Sequence, residues 1–166
     1  MPSTARAFAI AAHGSQRYGE HPYAVHLDAV AELLAPFGKD AVRVGYLHDV
    51  VEDTEIALDQ VRAEFGDVVA HCVALLTDES GEDRKERKAK TYAKLARVGP
   101  ELALALTVKA ADRLANVRAC IADGKVELLA VYRSEHPTFR GAAYRPGRCD
   151  RLWRELDLLL AAKREP

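Results

Sequence analysis

Apolar residues recur three and four positions apart along most of this chain, and nowhere is the strict alternation of a half-buried strand sustained. The pattern predicts helices throughout and no convincing strand. A first helix is expected from an N-cap at Ser3 or Thr4 toward Gln16, its end loosened by Gly14 and Gly19. After a short loop, Arg17 to His21, Pro22 suits the first turn of a second helix, which carries Val25, Leu27, Val30, Leu33 and Leu34 until Pro36 and Gly38. A third runs from Val42 to Asp53 and ends near Thr54. A fourth spans Ala57 to Phe65 before Gly66, and a fifth passes through Val68, Val69, Val73 and Leu76 to Thr77. Residues 78–84 read as a polar loop leading into a charged helix from Asp83 to Arg97. Gly99-Pro100 separates that helix from a long one, Glu101 to Asp123, closed by Gly124. Residues 125–145 hold a helical piece broken near Pro137. Beyond a turn at Tyr144-Arg-Pro-Gly147, Cys149 to Ala162 has the spacing of a terminal helix. The expected fold class is all-α: a single-core bundle of about eight or nine helices.

Composition narrows the picture. A chain of 166 residues is most simply one domain over 1–166, long enough to bury a core without staples. With 24 basic and 25 acidic residues and a net charge of −1, nothing global suggests a nucleic-acid or membrane-surface partner, so any basic site must be local. Cys72, Cys120 and Cys149 are odd in number and far apart, with no pair at metal-ligand spacing, which fits reduced thiols in the cytoplasm. The N-terminus lacks the apolar core of a signal peptide, and no stretch approaches the roughly 20 apolar residues that span a bilayer. A soluble, cytoplasmic protein is expected.

The segment Tyr46-Leu-His-Asp-Val-Val-Glu-Asp-Thr54 carries the most chemistry. On a continuous helix, His48 stacks on Glu52 and Asp49 on Asp53 at i,i+4, so one face presents an imidazole and three carboxylates. Imidazole and carboxylate suit a divalent metal, and an adjacent unligated carboxylate can take a proton from metal-bound water. Two more donors come from elsewhere. His26 sits one turn into the second helix among residues of a core face, and Asp112 interrupts the long apolar helix, with Asn116 at i+4. Singly, each reads as a satisfied core histidine or a salt-bridged acid beside Arg113. Together with His48-Asp49 they read as a ligand set.

The order His26, His48-Asp49, Asp112 resembles the HD superfamily of metal-dependent phosphohydrolases. Five segments, Ala12-His-Gly-Ser-Gln-Arg17, Pro22-Tyr-Ala-Val-His26, Leu47-His-Asp-Val-Val-Glu-Asp-Thr54, Phe65-Gly66 and Val108-Lys-Ala-Ala-Asp-Arg-Leu-Ala-Asn-Val-Arg118, are similar in order and spacing to the hydrolase domain of RelA/SpoT-type enzymes, which degrade the alarmone ppGpp. The likeness covers about residues 5 to 120. It implies a single HD-type helical domain, with His26, His48, Asp49 and Asp112 holding one Mn²⁺ and Glu52 and Asp53 acting on the attacking water. The implied reaction is release of pyrophosphate from the 3′-diphosphate of a guanosine polyphosphate. Arg17 matches an arginine packed on the purine, and Asn116 an asparagine near the sugar and base.

Arg84 and Lys88, at i,i+4 in the basic run Arg84-Lys-Glu-Arg-Lys-Ala-Lys90, lie at positions resembling the family's contacts to the 5′-phosphates. A solvated charged face is the plainer reading of the same run. Tyr132 is a weaker candidate for a base- or sugar-facing aromatic, and reads equally as core. The chain departs from the family pattern at Tyr18-Gly-Glu-His21, where a second basic residue is usual, and at Ala115. Residues from about 124 onward match no family motif and read as a lid, the surface of a homodimer, or the last core layer. Two other readings stay open. One is a phosphohydrolase for another nucleotide, such as ppApp or a nucleoside monophosphate. The other is a non-catalytic metal- or nucleotide-binding sensor.

Overall fold

The computed structural model describes residues 4–161. Among them are nine α-helices of two turns or more, one single-turn α-helix, two short 3₁₀ turns and a small two-stranded ribbon. The Ser3 and Ala162 ends of the expected first and last helices lie outside the described residues.

Helix α1 (Ala5–His13) is capped by Thr4, whose hydroxyl accepts from Ala7 N–H at 3.1 Å. It stops three residues before the expected end, because Gly14 leaves the helical region at φ +53°. The chain then makes the antiparallel pair β1 (Arg17–Tyr18) and β2 (His21–Pro22), with Arg17 opposite Pro22 and Tyr18 opposite His21. Gly19, at φ +57°, supplies the conformation that a two-residue hairpin loop needs. Pro22 therefore belongs to a strand, and α2 (Ala24–Leu34) starts two residues beyond it.

The expected third helix is two. After α3 (Lys39–Leu47) the chain passes through His48 and Asp49 and resumes as the single turn α4 (Val50–Asp53). In an unbroken helix the Gly45 carbonyl would accept the Asp49 N–H; here it accepts from His48 Nδ1 at 2.6 Å, and Asp49, at φ −105° and ψ −2°, caps α4. Extended Thr54 then closes the turn, its hydroxyl donating to the Val50 carbonyl at 2.6 Å.

Helices α5 (Leu58–Phe65), α6 (Asp67–Leu76) and α7 (Arg84–Ala96) follow the expected pattern, and Asp83 caps α7 through Glu86 N–H at 2.8 Å. The bundle is built round α8 (Leu104–Ala122), which packs against α2, α3, α6, α9 (Val126–Ala143) and α10 (Asp150–Leu160). From Ala105 to Ala115 every α8 residue is buried, as a helix at the centre of a core must be. Helix α9 runs unbroken through Pro137. The residues on either side of the proline, Leu129 and Tyr132 before it and Phe139, Ala142 and Ala143 after it, are all buried, and their packing outweighs the roughly 3 kcal/mol that an interior proline costs.

One contact fixes the spacing of α2 and α3. A Cβ on Gly45 would lie 2.5 Å from Leu34 Cδ1 and 3.5 Å from Val30 Cγ1, so glycine lets the two helices approach closely and brings His26 within reach of His48. No described helix is long and apolar enough to cross a membrane.

Candidate metal centre and active site

Four side chains from three places in the bundle converge on one point. His26 comes from α2, His48 and Asp49 from the break between α3 and α4, and Asp112 from the middle of α8. The Nε2 atoms of His26 and His48 lie 3.2 and 3.4 Å from the same oxygen of Asp112. Asp49 Oδ2 is 2.9 Å from His48 Nε2 and 4.0 Å from His26 Nε2. A ligand atom from each of His26, His48 and Asp49 falls within 4.8 Å of the others.

The donor set fits a divalent cation. With Nδ1 committed to the Gly45 carbonyl, His48 presents Nε2 to the site; Nε2 is buried and makes no hydrogen bond, despite carboxylate oxygens close by. A neutral ring in this tautomer turns its Nε2 lone pair toward the carboxylates, an arrangement that a cation between them would satisfy. The charges of the cluster are strongly coupled. Burial alone would raise the carboxyls of Asp49 and Asp112, yet the neighbouring His48 ring holds Asp49 at about 2 and Asp112 well below the usual range. Burial opposes a charge on His48, but the two carboxylates draw its pKa up.

Each ligand is oriented from behind. The Tyr23 hydroxyl donates to Asp49 Oδ2. Asn116 Nδ2 donates to Asp112 Oδ1 at 2.8 Å, and its Oδ1 accepts from the Tyr18 hydroxyl at 2.6 Å. The Tyr18 ring stacks on His26 with centroids 4.7 Å apart and planes at 18°.

His26, Asp49 and Asp112 open into a cavity of about 160 Å³ whose walls also hold Glu52, Asp53, Asp78, Lys88 and Lys109. Glu52 accepts from Asp78 N–H at 2.8 Å, and Asp53 from Gln16 Nε2 at 2.9 Å. Partial desolvation raises the Glu52 carboxyl, with the Asp78 N–H opposing. Lys109 is buried one turn before Asp112 and reaches its Oδ2 at 3.5 Å; burial lowers its pKa, but Asp112, Asp78 and Asp49 outweigh that and raise it.

Comparison with known proteins adds the family. The profile described as "HD domain" matches residues 5–139. The chain belongs to the HD-domain family. It is 34% identical over 154 residues, 89% of this chain, to a protein of Synechocystis named probable guanosine-3′,5′-bis(diphosphate) 3′-pyrophosphohydrolase, of which it spans only 20%. It is 30% identical over 118 residues to the guanosine-3′,5′-bis(diphosphate) 3′-pyrophosphohydrolase of Danio rerio, covering 67% of this chain and 64% of that one. Among solved structures, a metazoan ortholog of SpoT, whose title states that it hydrolyzes ppGpp, superposes with a TM-score of 0.75 at 24% identity, over 96% of this chain and 95% of the other. A Listeria monocytogenes protein gives a TM-score of 0.66, at 24% identity over 81% of this chain and 95% of the other. These superpositions establish a shared HD-domain fold.

The substrate-side residues expected from the sequence divide in this HD domain. Asn116 and Lys88 line the cavity, Asn116 spending its amide on Asp112 and Tyr18, and Lys88 pairing with Asp78 at 2.5 Å. Arg84, on the same face of α7, forks onto Glu135 at 2.7 and 3.2 Å. Glu135 also receives Arg113 at 3.0 Å, so the inward face of the basic run is built of ion pairs rather than solvated charge. Arg17 is exposed on the hairpin and donates to the Glu20 carbonyl. Tyr132 is buried beneath Arg113, 4.6 Å from its ring centre, and burial pushes its phenol up to about 12. Arg17, Arg84 and Tyr132 are outside the cavity lining.

Four residues of the site were not singled out by sequence. Lys109 had a signal, a lysine one turn before an acid in an apolar helix. Tyr18, Tyr23 and Asp78 reach the site through the hairpin and the loop after α6, which local pattern does not place.

Proposed function

We propose that this HD domain is a divalent-metal-dependent phosphohydrolase that removes the 3′-diphosphate of guanosine 3′,5′-polyphosphates as pyrophosphate. The observation that carries the reading is the cavity: His26, Asp49 and Asp112 line its floor with buried His48 against them, two spare carboxylates stand at its rim, and two lysines face in. The names of the Synechocystis and Danio relatives give the substrate class. The His₂Asp₂ donor set suits a divalent first-row metal, and Mn²⁺ is the proposed occupant. When bound, such a cation supplies Lewis acidity toward phosphate oxygens and lowers the pKa of a water at the site.

The remaining work belongs to the chain. Glu52, raised by partial desolvation, and Asp53, held by Gln16, orient the attacking water and accept its proton. The water oxygen attacks the ribose-proximal phosphorus, the bond from that phosphorus to the 3′-oxygen breaks, and the 3′-oxygen leaves with a proton. Lys88 and Lys109 face the charge of the diphosphate, which one metal cannot neutralise alone. Arg17, Arg84, Asn116 and Tyr132 are proposed as contacts of the nucleoside and its 5′-phosphates. For Arg84 this requires release from Glu135.

Because Arg17 is held on the hairpin outside the cavity, adenine analogues belong in the test beside guanine ones. Purified protein, stripped of metal and reloaded with Mn²⁺, would be incubated with ppGpp, pppGpp, ppApp and simple nucleoside mono- and triphosphates, and the products separated chromatographically. Pyrophosphate release confined to the guanosine 3′-diphosphates is the expected result. Orthophosphate from simple nucleotides would make the protein a phosphohydrolase of another class, and no turnover with metal bound would make it a sensor.

A further inference from the structure

Asp53 is held by a side chain from outside its own helix. Gln16 Nε2 donates to Asp53 Oδ2 at 2.9 Å, and Gln16 Oε1 lies 2.7 Å from His13 Nδ1. The protons in this chain can be placed in one way. An ionised carboxylate only accepts, so the amide nitrogen faces Asp53, the amide oxygen faces His13, and His13 carries its proton on Nδ1. His13 itself is buried, with its ring stacked on Tyr23 at 4.4 Å and 30°, and its Nε2 makes no hydrogen bond among the described residues. Tyr23 in turn donates to Asp49. A ring locked in the core thus sets an amide, the amide sets an exposed carboxylate, and the same tyrosine that locks the ring also orients a residue of the ligand set.

We propose that His13 and Gln16 are positioning residues for Asp53, fixing its rotamer so that Oδ1, which accepts no hydrogen bond among the described residues, is aimed at the attacking water. The proposal rests on the reading of Asp53 as a proton acceptor. An aspartate at the end of a single helical turn would otherwise spread over several staggered rotamers, only some of which reach the water. Neither His13 nor Gln16 hydrogen-bonds His26, His48, Asp49 or Asp112 among the described residues, so their proposed effect on turnover passes through Asp53.

The kinetic test is a double-mutant cycle in the full, Mn²⁺-loaded chain. Gln16→Ala, and His13→Phe, which keeps an aromatic ring against Tyr23, should each lower kcat on ppGpp by about 10- to 100-fold, as is typical for residues that orient a catalytic group. KM and Mn²⁺ affinity should change by less than about threefold, since neither substrate binding nor ligation is touched. In the Asp53→Asn background the same substitutions should cost less than about twofold, because the carboxylate they position is gone. Equal losses in both backgrounds would overturn the proposal.

A second readout does not depend on turnover. In Zn²⁺-loaded, diamagnetic protein labelled with nitrogen-15, Asp53→Ala should shift the side-chain amide signals of Gln16, and Gln16→Ala should abolish the slowly exchanging His13 Nδ1 proton. Gln16 signals that do not move, or a His13 proton found on Nε2, would overturn the relay whatever the substrate. Wild-type protein that leaves ppGpp intact while showing both shifts would uphold the relay geometry and overturn the substrate assignment instead.

Discussion

Lys109 Nζ stands 3.5 Å from Asp112 Oδ2, one turn away on the most buried helix of the bundle. The pair places a fixed positive charge against the ligand set, where it opposes a metal ion and favours an anion. Lys109→Met should therefore have effects of opposite sign: Mn²⁺ affinity rises about tenfold or more, as expected for removing a unit charge a few ångströms away at an effective dielectric near 20, while KM for ppGpp rises. Calorimetry with Mn²⁺ and steady-state kinetics read the two effects. Losing both would show that the lysine is structural.

The two acids at the rim separate ligation from chemistry. Asp49→Asn should lose metal and activity together. Glu52→Gln with Asp53→Asn should retain the metal and lose about 10²- to 10⁴-fold in kcat, the usual contribution of general base catalysis. Full activity in the double variant would remove both residues from the mechanism.

Acidification should expose Glu52. Its folded-state pKa lies above that of an ordinary glutamate, so it takes up its proton earlier as pH falls, and its proton-accepting form is lost at a higher pH than an unperturbed carboxylate would show. Above that pKa the desolvated carboxylate costs stability, and the cost is relieved as pH falls through it. The acid limb of the kcat/KM profile is the measurement, and it should move in Glu52→Gln. A limb that stays in place belongs to another group.

Glu135 should matter more to stability than either of its arginine partners suggests alone. Its carboxylate gathers Arg84, Arg113 and the Tyr92 hydroxyl, and Arg113 is almost wholly buried. Glu135→Ala strands that guanidinium and should cost about 3 to 5 kcal/mol in urea unfolding. Arg84→Ala removes a side chain that is 41% exposed and should cost about 1 kcal/mol or less.

Gly45→Ala tests the α2–α3 spacing. The added methyl meets a buried Leu34, so a loss of about 1 to 3 kcal/mol is expected from overpacking. Mn²⁺ affinity should fall with it, because His26 and His48 ride on the two helices being pushed apart. Unchanged affinity would mean that the leucine absorbs the strain.

The sequence conveyed the helical class, most helix positions and the four side chains, His26, His48, Asp49 and Asp112, that the fold brings together. These follow from local periodicity and from the rarity of acids and imidazoles on apolar faces, as with Asp112 in α8 and His26 in α2. What it hid depended on partners distant in the chain. The Arg17–Pro22 ribbon is too short to show alternation, and Gly19 is its only punctuation. The break after Leu47 comes from a side-chain bond, His48 to the Gly45 carbonyl, inside a run whose periodicity is uninterrupted. Pro137 signals a stop that tertiary packing overrides. Arg84 and Lys88 do face inward, but Glu135 and Asp78, which claim them, lie on elements that no local pattern connects to α7.

The deep position of α8 divides this protein into a part where substitution disturbs the fold and a part where it does not. Asp112 and Lys109 sit in a helix whose neighbours form the core, so a substitution there disturbs the fold and the proposed metal site together. Glu52, Asp53 and Asp78 stand on a one-turn helix and a loop, where side chains can be exchanged at little cost to the bundle. A change at the rim can therefore abolish or retune the chemistry while the bundle, with His26, His48, Asp49 and Asp112 in it, stays folded.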